Sequence, residues 1–392
     1  MIFAHRSSAL IKSVAIIIAL SVAHPPTHPA RALPPQAPLD LPSVLKALGH
    51  SQGALDALRH LLSFPLEVLE GAKSEALYAA LDQVILSTSS SLTARAWAIE
   101  ALKRLGQGRG SMRALLTNPG VDPALSRVAA EALRGLARVD LLAGVTRHAD
   151  PEVRAHAAAA GADPEGLCAL LSDPWPLARY GAITGLERVG GPEATCLTAA
   201  LRDPVPAHQA RAARALGGLS EAPWAAKREP SEGLNALGAG LMGLAGDPSA
   251  PAESRGAALI AIARWGSTEP AERVLRAHVE KGGLVTLSVS ATQAIAVAAP
   301  LSVEERLERL SRLLTQSPAP EVRLSAARHL GALGPEGERV ARAWALKVGG
   351  EEGRVALSRL PAAPPSAPPP AAEPPLEPPL EPPLDDEERL GM

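Results

Sequence analysis

Cys168 and Cys196 are the only thiols in a chain of 392 residues, and each follows the same step, Pro-Glu-x-x-Cys, at Pro164-Glu165 and Pro192-Glu193. Two thiols so placed either form a bridge in an oxidising compartment or serve as small buried hydrophobes. The matching context puts them at equivalent positions of successive helices in a stack. Stacked helices lie about 8–10 Å apart, whereas a bridge needs α-carbons within about 7 Å. The expectation is therefore two buried, unbridged cysteines, with a repeat offset as the route to a disulfide.

Other residue patterns that do chemistry are missing. The chain contains no His-Glu-x-x-His, no Gly-x-Ser-x-Gly and no Gly-x-x-x-x-Gly-Lys-Ser/Thr. Gly106-Gln107-Gly108-Arg109-Gly110 resembles a phosphate loop, but it follows a helical pattern instead of a strand and reads as an inter-helix turn. The ten histidines are scattered, and His148 and His156 fall on either side of an Asp-Pro turn. No enzyme activity, metal or cofactor is expected. One charged cluster is a candidate binding surface: Arg273 and Arg276, then Arg309, then Arg339 and Arg342, on what read as the last three inner helices. Aligned, they would make a basic strip for a protein or peptide; Glu304, Glu305 and Glu308 on the middle helix argue for a self-paired, solvated face.

The elements that carry these residues announce themselves by repetition. Asp150-Pro151-Glu152-Val153-Arg154 precedes an Ala-rich run. Asp173-Pro174 returns with Arg179, and Asp203-Pro204 with Arg211 and Leu216-Gly217. Asp suits a helix N-cap and Pro the first helical position, where its missing N–H costs nothing. The following Ala and Leu at i, i+3 and i+4 make a narrow apolar stripe, and Leu-Gly suits a helix end. Looser copies lie at Leu92-Thr93-Ala94-Arg95, Asp122-Pro123, Asp247-Pro248 and Pro320-Glu321-Val322-Arg323, with an eroded one near Leu287–Ala298. Such periods mark stacked supersecondary units.

Asp-Pro-Glu-Val-Arg-x-x-Ala-Ala at 150–158 and Ala-Pro-Glu-Val-Arg-x-x-Ala-Ala at 319–327 resemble the first helix of HEAT repeats, in the short bacterial variety also found in phycobilisome lyases. The resemblance covers about residues 90–348. It implies an all-α, right-handed α-solenoid, with A helices outside and B helices lining the concave side. It also implies a structural ladder of Asp and Arg along the stack, carried here by Asp150, Arg154, Asp173, Arg179 and Arg323. The ladder is expected to break after Asp203, where Arg is shifted by two, and at Arg323, which has no Asp beside it. The motif speaks for architecture and is nearly silent on function.

B helices are expected at 111–117, 141–149, 164–172, 192–202, 231–245, 269–280, 302–315 and 337–347. Residues 43–89 read as an N-terminal helical cap and 349–392 as a Pro-rich, acidic, disordered tail. The composition, 46% hydrophobic and 2% aromatic, suits close stacking of small side chains, and a formal net charge of −2 argues against a nucleic-acid partner. Trp97, Trp265 and Trp344 fall at apolar helix positions, while Trp175 sits between two prolines.

Residues 1–32 carry Arg6 and Lys12, an apolar run from Val14 to Leu20, and Ala30-Arg31-Ala32, the pattern of a signal peptide; cleavage would leave Leu33 or His24 first and no stable membrane span. Residues 33–42 read as a Pro-rich linker. Glu373-Pro374-Pro375-Leu376 recurs at 377–380 and 381–384, followed by Asp385-Asp386-Glu387-Glu388, a composition that favours extended polyproline II as a spacer or as a ligand for another domain. The resulting expectation is an exported, periplasmic or secreted, non-enzymatic scaffold for a protein or peptide partner. Its alternatives are a lyase-like accessory protein handling a cofactor and a structural envelope component.

Overall fold

The computed structural model describes residues 39–50, 53–221, 232–299 and 301–360. The expected signal peptide, most of the linker, much of the long loop at 220–230 and the tail from 361 onward lie outside the described residues. Those described are helical, without a strand among them. They divide into two compact units, meeting in sequence between Leu105 and Gly106.

The first unit contains α1 (Leu41–Leu48), α2 (Ala54–Ser63), α3 (Leu66–Gly71), α4 (Glu75–Leu86) and α5 (Leu92–Arg104). Polar caps start its helices where the sequence supplies them. Ser74 Oγ accepts from the Leu77 amide at 3.2 Å, and Ser91 Oγ from that of Ala94 at 3.1 Å. Helix α5, expected as the first repeat, packs instead with α2 and α4, and its Ile99 and Leu102 are fully buried there.

The second unit is a stack of helix pairs. The row of A helices, expected to be the outer one, runs α7 (Pro123–Gly135), α9 (Pro151–Ala159), α11 (Pro176–Val189), α12 (Pro206–Gly218), α14 (Ala252–Arg264), α16 (Val285–Val297), α18 (Pro320–Ala332) and α20 (Gly350–Arg359). The row of B helices, expected to be the inner one, has α6 (Gly110–Thr117), the short α8 (Val139–Leu142), α10 (Pro164–Leu170), α13 (Glu232–Gly246), α15 (Glu269–Lys281), α17 (Val303–Gln316) and α19 (Pro335–Val348). Between α11 and α12 the B position is held by a 3₁₀ helix, Pro192–Arg202, where an α-helix was expected. The 141–149 segment is likewise only α8 plus a 3₁₀ turn at Val145–Arg147. Each A helix packs on the next along the row.

Small residues set that spacing. A Cβ on Gly181 of α11 would stand 2.5 Å from the Ala155 carbonyl oxygen of α9, and one on Gly185 would meet the carbonyl of Ala158. Gly217 acts in the same way: α12 continues through it to Gly218, and a Cβ there would lie 3.0 Å from Ala261 Cα of α14. Its expected role as a helix end is therefore replaced by a close approach, whereas Gly334, at φ +110°, does end α18.

The helix starts differ from expectation in an instructive way. Asp122 and Asp150 do cap α7 and α9, each with Pro at the first position. Asp173-Pro174 and Asp203-Pro204 instead sit in the preceding turn, and the helices open on Pro176 and Pro206. The second proline dictates this. A residue before Pro is driven from the helical region, and Trp175 and Val205 are extended at ψ 122° and 115°. Asp173 and Asp203 then accept the amides of Trp175 and Val205 at 2.8 and 2.7 Å.

The tail boundary also moves. Residues 350–359, expected to be disordered, form α20, packed on α18 and α19. The Gly349-Gly350 pair, at φ +63° and +57°, makes a tight turn and not a stop. Ala356, buried at 2% exposure, and half-buried Leu357 join the core.

Candidate functional site

Counting α9, α11, α12, α14 and α18 from their true first residues brings one position into line. The fourth residue is Arg154 in α9, Arg179 in α11, Gln209 in α12, Arg255 in α14 and Arg323 in α18. The side chain there turns back onto carbonyls of the preceding turn. Arg154 Nη1 donates to His148 O and Ala149 O, each at 2.8 Å. Arg179 Nη1 donates to Asp173 O and Pro174 O at 2.9 and 3.3 Å, and Arg323 Nη1 to Ser317 O and Pro318 O at 2.8 and 3.1 Å.

The rest of each guanidinium reaches forward to the next repeat. Arg154 Nε and Nη2 donate to the two oxygens of Asp173 at 2.9 and 3.0 Å, and Arg179 does the same to Asp203 at 2.6 and 3.2 Å. Arg127 Nε, from α7, donates to Asp150 at 2.8 Å. The result is a relay in which one Asp orders its own turn and anchors the arginine of the repeat before it. Burial would raise the carboxyls of Asp150, Asp173 and Asp203; their arginines and the backbone amides outweigh it and hold all three below the usual carboxylate range.

Of the two expected breaks, the one after Asp203 is present and the one at Arg323 is not. Asp203 is not orphaned, because Arg179 binds it from the preceding repeat. Arg211 lies two residues beyond the relay position and pairs with Glu187 at 2.6 Å and the Tyr180 hydroxyl at 2.9 Å. Gln209 holds the relay position, and its Nε2 donates to Asp203 O at 2.8 Å without charge to pass on. Arg323 is not isolated either: both oxygens of Glu352 on α20 accept from it at 2.8 Å. That partner was invisible while residues beyond 348 read as tail.

Cys168 and Cys196 are bridged, with α-carbons 5.8 Å apart, which overturns the expectation of free thiols. The 8–10 Å spacing is measured between helix axes. Each α-carbon lies about 2.3 Å off its axis, so facing positions approach to roughly 4–5 Å. The bridge ties α10 to the 3₁₀ helix, and both cysteines pack against the core.

The basic strip is largely neutralised. Arg273 pairs with Glu269 at 2.5 Å, Arg342 with Glu338 at 2.7 Å, and Arg339 with Glu336. Arg309 pairs across the stack with Glu272 of α15, because Glu305, its expected helical partner, closes a capping box with Ser302. Arg276 is exposed beside a groove of about 490 Å³ between α15 and α17, bordered by Leu275, Val279, Glu308, Arg312 and Leu313. A second, larger groove of about 690 Å³ crosses the row of A helices over Gly217, Gly218, Ala257 and Ala261.

The remaining candidates are structural. Arg138 Nη1 donates to Gly108 O, which ties the Gly106–Gly110 turn to the segment before α8. His148 Nδ1 accepts from the Asp150 amide at 3.0 Å. Trp344 is buried, and half-buried Trp265 donates Nε1 to Leu216 O at 2.8 Å. Trp97 is half-buried beneath the Arg59 guanidinium. Trp175 stands 53% exposed. Among the described residues no cluster of three or more His, Cys, Asp or Glu could hold a metal ion, and no helix is long and apolar enough to cross a membrane.

No family model and no curated protein matches the chain. Among solved structures it is similar to the karyopherin Kap121p bound to the extreme C-terminus of the protein phosphatase Cdc14p, at 14% identity and a TM-score of 0.46, over 79% of this chain and 39% of that one. A mutant of Kap121p aligns at 15% identity and a TM-score of 0.41, over 81% of this chain and 37% of that one. The chain thus spans well under half the length of these karyopherins. The repeat geometry stands on its own residues: this is an all-α, HEAT-like stack of helix pairs.

Proposed function

We propose that the protein is an exported, non-enzymatic scaffold that holds a protein or peptide partner along the row of B helices. A stack of this kind offers a long surface built from many equivalent helices, the use to which such surfaces lend themselves. The observation that carries the reading is the groove between α15 and α17. It joins apolar Leu275, Val279 and Leu313 to exposed Arg276, which has no ion pair among the described residues. An extended or helical segment with apolar anchors and an acidic residue fits that lining. Export is supported by the bridge between Cys168 and Cys196, since such bonds persist in oxidising compartments, and by the charged-then-apolar pattern of residues 1–32.

Affinity capture from envelope extracts with the intact protein and with an Arg276→Glu/Val279→Asp variant tests this reading. A protein retained by the first and lost by the second supports it. Equal capture by both removes the groove from the account. N-terminal sequencing of the same material should find Leu33 or His24 first; an intact Met1 would contradict processing.

A further inference from the structure

Trp175 differs from the other described tryptophans in what surrounds it. Pro174, Trp175, Pro176 and Leu177 form a continuous exposed run, with Trp175 53% and Leu177 57% accessible. The run is held in place. Two prolines fix φ, Asp173 accepts the Trp175 amide at 2.8 Å, and Arg179 clamps the Asp173 and Pro174 carbonyls from behind. The equivalent turns of the flanking repeats carry Arg147, ending the 3₁₀ turn before Asp150, and Arg202, ending the 3₁₀ helix before Asp203. Both are exposed and have no ion-pair partner among the described residues. An aromatic between prolines is thus flanked by two arginines, one turn to either side along the stack.

We propose that this ridge is the docking site for the protein's own C-terminal repeats, Glu373-Pro374-Pro375-Leu376 and its two copies through Leu384. A rigid aromatic face is what a polyproline II segment recognises, because its preformed helix loses little entropy on binding. Pro-Pro-Leu supplies the apolar contact to Trp175 and Leu177. The glutamates recur every four residues; at about 3.1 Å per residue they stand roughly 12 Å apart, close to the 8–10 Å between stacked helices. Charge complementarity then pairs two of the glutamates with Arg147 and Arg202. The arginines lie two such helix spacings apart, about 16–20 Å, between the roughly 12 Å of successive glutamates and the roughly 25 Å of alternate ones, and their long side chains close the difference on either side of Trp175.

The tether has the right length. Leu360 closes α20, five helix spacings along the row of A helices from α11, or about 40–50 Å. The second copy, Glu377–Leu380, begins 17 residues after Leu360, about 53 Å in polyproline II form. Attachment to the same chain supplies an effective concentration in the millimolar range, so a weak contact is enough.

The test uses the full chain with Leu380 replaced by the photo-crosslinker benzoylphenylalanine, and maps the cross-links by mass spectrometry. Cross-links should concentrate on residues 172–180. Their yield should fall about tenfold with Trp175→Ala, an exposed substitution that leaves the circular dichroism unchanged. Arg147→Glu with Arg202→Glu should lower it as well. Scattered cross-links, or a yield indifferent to Trp175→Ala, would overturn the proposal. An equimolar mixture of isotope-labelled and unlabelled chains checks the source: cross-links within one chain support docking in cis, and a statistical share between chains contradicts it.

Discussion

Cys168 of α10 and Cys196 of the neighbouring 3₁₀ helix hold their α-carbons 5.8 Å apart and close a loop 28 residues long. The loop spans α11 and contains Asp173 and Arg179, one member of each of two successive forward pairs. Closing a loop of that length removes unfolded-state entropy worth about 3–4 kcal/mol. Reduction, or Cys168→Ser with Cys196→Ser, should lower the unfolding free energy by about that amount. Urea unfolding with and without reductant measures the loss, and a non-reducing peptide map should recover the two cysteines as one linked pair.

Gly181 and Gly185 let α11 lie against α9. Gly185→Ala should cost about 1–3 kcal/mol, since the new methyl meets backbone that cannot rotate away. Gly243, on the exposed face of α13 with nothing within 4 Å of a built Cβ, gives the opposite sign. Gly243→Ala should stabilise by about 0.5–1 kcal/mol through helix propensity alone. Thermal melts of the two variants settle the comparison.

Acid should weaken the stack in two stages. Burial, with Arg134 beside His156 and Arg328 beside His329, holds both imidazoles below their ordinary value. A depressed histidine contributes stability that is complete above the unfolded value of about 6.5 and is lost as pH falls toward the folded one. The carboxyls of Asp150, Asp173 and Asp203 are also depressed, so their contribution is complete above about pH 4 and is lost below it. The melting temperature should therefore slip below about pH 6.5 and fall more steeply below about pH 4. His156→Gln with His329→Gln should remove the first stage and leave the second.

The helix pairs were legible because Asp, Pro, Arg and Ala each constrain the backbone locally. The relay was legible only in part. Read from Asp-Pro, Arg211 stands two residues out of register; read from the second proline, Pro206, the relay position falls on Gln209. The X-Pro restriction was present in the sequence and would have given that register. The Arg323 partner, Glu352, was hidden because a Gly-Gly pair looks like a stop until tertiary packing restarts the helix. The disulfide depended on which sides of two helices face one another, a relation between cylinders that residue spacing does not encode. Site residues fared less well, since Arg309 takes Glu272 from another helix once the capping box has claimed Glu305.

The account turns on the forward pair between Arg179 and Asp203, both nearly buried and joined at 2.6 and 3.2 Å. A double-mutant cycle with Arg179→Met and Asp203→Asn, read by urea unfolding, tests it most directly. Arg179→Met alone should cost about 3–5 kcal/mol by stranding a buried carboxylate. The double variant should recover enough to give a coupling of about 1.5–3 kcal/mol. Additivity within about 0.5 kcal/mol would mean that the two residues do not act on one another, and that the relay does not hold the repeats together.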